Sequence, residues 1–145
     1  MIEDHLRLQL EQQVFGPSEK IIVIVKAVKL RKSGVANRLL CITEKKKKDA
    51  TVLRMVTVAH SDKETLHKVK SYKIKKLRAI EQVGATGLEY KLSFEKTFHF
   101  RIHEVDVDQK NQWLLELLRL SKERFGNLPR LVNLTQEAIE VVQKQ

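Results

Sequence analysis

The sequence predicts an α+β domain. Seven short antiparallel strands roll into a barrel or sandwich, one amphipathic helix closes it, and extra helices stand before and after. Three observations carry this. From residue 20 to 103, segments that are Ile/Val-rich or alternate in polarity follow one another across short polar breaks. Residues 106–125 then carry one wide apolar stripe at helical spacing. The length, 145 residues, suits one domain and is enough to bury about 70% of the unfolded chain's surface.

The elements follow in order. Ile2, Leu6, Leu10 and Val14 recur every four residues, so residues 1–15 read as a helix with one apolar face. Phe15-Gly16-Pro17-Ser18 ends it. This hinge lets the helix pack on its own domain or on a partner copy. The first strand spans 20–31 and is rich in Ile and Val. Residues 33–37 read as a loop, Arg38–Thr43 as a second strand, and Glu44–Asp49 as a polar turn carrying Lys45, Lys46, Lys47 and Lys48. Thr51–Ala59 is a third strand. Val69–Leu77 is a fourth, with Tyr72 and Ile74 inward and Lys73 and Lys75 outward. A fifth lies near Arg78–Val83. In the sixth, Leu88, Tyr90, Leu92 and Phe94 point one way. In the seventh, Phe98, Phe100 and Ile102 alternate with His99, Arg101 and His103. Asp106 or Asp108 can cap the main helix, and Trp113, Leu114, Leu117, Leu118, Leu120 and Phe125 form its apolar face. Gly126 ends it. Asn133 with Gln136 three residues on resembles the start of a short helix over 133–145.

Composition excludes several classes. Charged residues are 32% and apolar residues 42%, which is globular and not disordered. With only Cys41, no intrachain disulfide or four-cysteine zinc site forms, and a thiol inside an apolar strand reads as buried and inert. The longest purely apolar run, Ile21–Val25, is far short of the ~20 residues of a spanning helix. Met1-Ile2-Glu3-Asp4-His5 lacks the pattern of a secretory signal, so the expected address is the cytosol or its membrane surface. The charge is unevenly spread. Between Lys20 and Arg78, 18 Lys and Arg outnumber four acids, a net +14 within a chain of +10. A single-sign field of this kind points to an anionic partner: a membrane surface, nucleic acid or an acidic protein.

The order of segments narrows the fold. A helix ending in Phe15-Gly16-Pro17 precedes the Ile/Val strand, then Arg38-Leu39-Leu40-Cys41-Ile42-Thr43, then Ser61-Asp62-Lys63. Tyr72-Lys73-Ile74-Lys75-Lys76-Leu77, Leu88–Phe94 with Glu95-Lys96, and Asn127-Leu128-Pro129-Arg130-Leu131-Val132-Asn133 follow. Over about residues 4–142 this order resembles the N-terminal phosphoinositide-binding pleckstrin-homology (PH) domain of exocyst complex component 1, also found in amisyn. The resemblance implies a PH-like barrel that binds phosphatidylinositol 4,5-bisphosphate at the inner face of the plasma membrane. It also implies contact with Rho-family GTPases in some members and a role in tethering secretory vesicles. The polar ending Gln143-Lys144-Gln145 fits a domain of a longer chain, through which other exocyst subunits would be reached. No cofactor is expected.

A bisphosphorylated inositol needs dense positive charge, which Arg supplies through a forked donor set and Lys through a compact one. PH domains draw such groups from the first strand, the next loop and the second strand. The matching positions are Lys29, Arg31, Lys32 and Arg38. Many PH domains add a second basic residue two positions from the one on strand two; here those positions are Ala36 and Leu40. Lys63, Lys73 and Lys75 complete the candidate set, and Lys45–Lys48 are assigned to general anionic head-group contact. Each cation near an anionic leaflet contributes about 1 kcal/mol, so a weak, salt-sensitive membrane reader is expected.

Other readings are weaker. Nucleic-acid binding suits a basic β-rich domain, but aromatic platforms for base stacking are missing, since Tyr90, Phe94, Phe98 and Phe100 follow inward parity. A module binding an acidic protein surface is compatible with the membrane reading. His99 and His103, about 13 Å apart on a strand, read as solvated and not as metal ligands. Glu104, Asp106 and Asp108 read as helix-capping, not as a calcium site. No nucleophile–base pair or carboxylate dyad has usable spacing, so no enzyme is expected.

Overall fold

In the computed structural model, residues 2–47, 50–60, 65–102, 107–126 and 128–134 are described. Lys48, Lys63, His103 and all but the first two residues of the expected 133–145 helix lie outside them. Helix α1 (Ile2–Leu10) continues as one π-helical turn (Glu11–Phe15). The four-residue recurrence of its apolar positions fits this slower winding. Gly16, at φ 73°, closes the turn with its N–H on the Glu11 carbonyl, a conformation only glycine adopts at no cost.

Eight strands follow: β1 (Glu19–Arg31), β2 (Gly34–Lys47), β3 (Ala50–His60), β4 (Leu66–Lys73), β5 (Ala79–Val83), β6 (Glu89–Ser93), β7 (Thr97–Ile102) and β8 (Arg130–Val132). Helix α2 (Val107–Phe125) lies between the last two and ends at Gly126, φ 73°. The strands form one open sheet in the order β4-β3-β2-β1-β7-β6-β5-β8, antiparallel except for β5 with β8. The two halves join along Ala27–Lys29 of β1 and Phe100–Ile102 of β7. With α2 this is the PH-like α+β sandwich the sequence predicts.

Several expectations change in detail. Residues 34–37 are strand and not loop, because Arg31 pairs with Gly34 and leaves a two-residue turn at Lys32-Ser33. Lys45–Lys47 continue β2 up to its pairing with β3. The fourth strand stops at Lys73, where Ile74–Lys76 form a 3-10 turn that buries Ile74. Strand β8 was not expected; at three residues it is too short to carry a periodic signal.

The sheet is buried on its inner face throughout and on its outer face over β1–β3 and the start of β4. Inside, Val23, Val25, Ala27, Leu40, Ile42, Met55, Leu92, Phe98 and Phe100 pack on Trp113, Leu117 and Leu120 of α2. The Trp113 indole N–H donates to the Leu40 carbonyl over 3.0 Å. Outside, Leu10 and Phe15 cover Ile21, Ile24, Leu39, Cys41, Val56 and Val58, so the N-terminal helix packs on its own sheet. Two cores explain why β1 and β2 read as unbroken apolar runs at Ile21–Val25 and Leu39–Ile42: alternation is lost where both faces are dry. Cys41 is fully buried, and burial pushes its thiol pKa up.

One buried polar network ties the first three strands. Arg54 of β3 holds both oxygens of Glu19 of β1, at 2.6 and 2.7 Å, and the Thr43 hydroxyl of β2 donates to the same carboxylate over 2.6 Å. Burial acts to raise the Glu19 pKa, but the hydrogen bonds from Arg54 and Thr43 outweigh it and hold the value below 4.5. A carboxyl depressed by folding contributes stability above its unfolded pKa and loses it as pH falls through the folded value. Glu19→Gln is therefore expected to cost about 3 kcal/mol near neutrality by stranding Arg54. It should also flatten the loss of stability below pH 4.5. Urea melts of both proteins across that range check this; parallel curves would overturn it.

Candidate anion-binding site

On the inner face of β1, Val23, Val25 and Ala27 belong to the core, and the next two residues of the same parity are Lys29 and Arg31. On β2 the inner row runs Ile42, Leu40 and then Arg38, which pairs with Ala27. On β4, Tyr72 pairs with Met55, and Lys70 pairs with Thr57. Each inner row thus changes from apolar to cationic at the same end of the strands, and the changes form a basic mouth.

An aromatic ladder floors the mouth. Trp113 meets Phe100, Phe100 meets Phe98, and Phe98 meets Tyr72, with centroids 6.0, 5.6 and 5.8 Å apart. The Lys29 ammonium lies 5.8 Å from the Phe98 centroid and that of Lys70 lies 5.2 Å from Tyr72. The negative ring faces hold both cations in place. Beside them a cleft of about 530 Å³ separates the β4 edge from the β6–β7 turn. Lys70, Tyr72, Lys73, Phe94 and Lys96 line it, and an exposed Lys76–Glu95 pair sits on its rim.

The cations of the mouth repel one another. Burial and then the like charges of Arg38, Lys70 and Arg31 lower the Lys29 pKa. Burial and then Arg31 lower that of Arg38. The Arg38 Nη1 donates to its neighbour's carbonyl, while its buried Nε has no acceptor among the described residues. Cations pressed together with a donor left over are what several acceptor oxygens on one dense anion would satisfy.

The candidate residues divide accordingly. Lys29, Arg31 and Arg38 converge, Lys32 is exposed on the adjoining turn, and Lys73 lines the cleft next to Lys70. Lys75 is exposed on the 3-10 turn and belongs to neither the cluster nor the cleft, because the strand ends before it. Lys45–Lys47 lie at the far end of β2, about 23 Å or more from Arg38 at ~3.3 Å per residue. Lys48 and Lys63 are outside the described residues. Lys70 was missed, although it shares parity with the inward Tyr72. His99 is not simply solvated: its Nε2 lies 2.6 Å from Glu89 Oε2. Among the described residues no His/Cys/Asp/Glu group could hold a metal, and no helix is long and apolar enough to cross a membrane.

A cation whose folded pKa is depressed destabilises the fold while charged, and that penalty fades only as pH rises through the lowered value toward 10.5. At neutral pH and low salt, Lys29→Met is therefore expected to raise the melting temperature slightly. Sulfate or an inositol phosphate should raise it more in the unmodified chain than in the variant. Calorimetry with and without the anion measures both; a variant that melts lower without anion would refute the repulsion.

Among curated proteins none matches the chain. Residues 33–123 match the family described as exocyst complex component SEC3 N-terminal PIP2 binding PH, and they include Arg38, Lys70 and Trp113, while Lys29 and Arg31 precede them. With the match covering more than half of its length and the fold in agreement, the chain belongs to this family of PH-type lipid-binding domains, which is not a family of enzymes.

Proposed function

We propose that the chain is a membrane-targeting module that reads phosphatidylinositol 4,5-bisphosphate at the inner face of the plasma membrane. Lys29, Arg31, Arg38 and Lys70 hold the phosphates, with Lys32 and Lys73 at the rim. The carrying observation is the cluster of mutually repelling cations around Arg38, whose buried Nε has no acceptor among the described residues. The family's name supports the ligand. In this reading the module serves exocyst-type vesicle tethering, and the rest of a longer chain reaches other exocyst subunits. The Lys45–Lys47 end of the sheet remains free to meet acidic surfaces, a Rho-family GTPase among them.

Lys29 and Lys70 are flexible point charges, whereas Arg38 brings a planar donor set with a buried Nε, so Arg38 carries most of the geometric selectivity. A charge-assisted hydrogen bond contributes about 1.5–3 kcal/mol, which is more than a cation merely near the leaflet contributes. Co-sedimentation with vesicles of phosphatidylcholine alone, with phosphatidylserine, and with the bisphosphate at matched total charge tests the reading. Arg38→Ala is expected to weaken bisphosphate binding about 10- to 100-fold and to remove the preference over phosphatidylserine. Changing Lys45, Lys46 and Lys47 to Ala should weaken both anionic vesicles alike and keep the preference. Binding that follows total charge alone would reduce the mouth to a nonspecific basic face.

A further inference from the structure

The two-residue turn between β1 and β2 holds one hydroxyl, that of Ser33, at the edge of the mouth. Lys29, Arg31 and Lys32 precede it within four residues, and no acid lies between Lys20 and Glu44. Cations just N-terminal to a serine are what basophilic protein kinases grip with carboxylates of their own. The turn is also within reach, since Arg31 to Val35 are all exposed. A kinase takes its substrate extended. Here that requires only the last two pairs of the hairpin, Leu30 with Val35 and Arg31 with Gly34, to part. Pairs at an uncovered hairpin end open at little cost. Ser71 is flanked by Lys68, Lys70 and Lys73 as well, but it is half-buried and paired with Val56 of β3. Presenting Ser71 would peel β4 from the sheet.

We propose that Ser33 is a phosphorylation site for a basophilic serine kinase and that its phosphate competes, from within the chain, for the cations of the mouth. The inference rests on reading the mouth as a phosphoinositide site and gives that site an off switch. In the step, Ser33 Oγ bonds to the γ-phosphorus of ATP and the bond to the β–γ bridging oxygen breaks. ADP leaves, and the hydroxyl proton passes to the catalytic carboxylate of the kinase. The segment from Lys29 to Arg38 carries four cations and no acid, a net +4. A phosphoserine brings a charge of about −2 near neutrality, which halves that field. It also offers the same kind of oxygens as a head-group phosphate. Arg31, which repels both Lys29 and Arg38, gains an anionic partner two residues away.

Two experiments test this. First, the folded chain is incubated with ATP and protein kinase A or protein kinase C, both basophilic, and mapped by mass spectrometry. Ser33 should take up phosphate, and Ser33→Ala should lose that site. No phosphate at Ser33 with either kinase would overturn the site. Second, phosphoserine is installed at position 33 by amber suppression. Soluble inositol 1,4,5-trisphosphate and phosphatidylcholine vesicles with phosphatidylinositol 4,5-bisphosphate are titrated against this chain, the unmodified chain, Ser33→Ala and Thr51→Glu. Thr51, paired with Lys46 at the far end of the sheet, controls for added charge. The phosphorylated chain should bind both probes about tenfold more weakly. Ser33→Ala and Thr51→Glu should keep the trisphosphate affinity of the unmodified chain. By phosphorus NMR the second pKa of the phosphate should lie below the value of about 6 for free phosphoserine and return toward it in Arg31→Ala. Binding unchanged by the phosphate would overturn the competition and spare the mouth. Failure of the unmodified chain to bind either probe would overturn the mouth and the competition with it.

Discussion

An eight-stranded sheet whose outer strands never meet must be closed by something other than backbone hydrogen bonds, and here α2 closes it. Trp113 sits fully buried with its N–H on the Leu40 carbonyl, and Arg124 near the helix end reaches Glu44 over 3.2 Å. From Trp113 onward the helix therefore covers β2 from Leu40 toward Glu44. The strand ends on the other side of Leu40 stay uncovered, and Arg38 is the next inward residue there. The same packing that fills the core sets where the core stops.

The frame around that opening is stiff for identifiable reasons. Strands β1 and β2 are pinned between α2 on one face and the N-terminal helix on the other. The Gln13 amide oxygen accepts the Leu66 N–H and ties that helix to the start of β4. Glu19, Thr43 and Arg54 join β1, β2 and β3 near the opposite end from the mouth. A fully satisfied buried ion pair costs little once formed, and it sets strand register where a slip would strand a charge.

The mouth itself works against the fold. Half-buried like charges raise the energy of the fold, and the Arg38 Nε, buried with no acceptor among the described residues, adds to it. The aromatic ladder offsets part of this through Phe98 and Tyr72.

The amino-acid sequence by itself determined the element order, the closing helix and Trp113 as core, because these are written in local periodicity. Lys29, Arg31 and Arg38 are named by the family resemblance and not by local periodicity; the strand pairing shows that they continue the inward rows of Ala27 and Leu40. Only the tertiary structure decided the rest. Lys70 joins the mouth because β3 brings β4 alongside, a pairing between distant segments that no local pattern states. Lys75 leaves it because Ile74 needs burial and turns the chain. Lys45–Lys47 are close to Arg38 in sequence yet lie at the other end of an extended strand, where about 3.3 Å per residue makes neighbours distant. Sequence spacing specifies faces; which faces meet is settled by how two cores are filled at once.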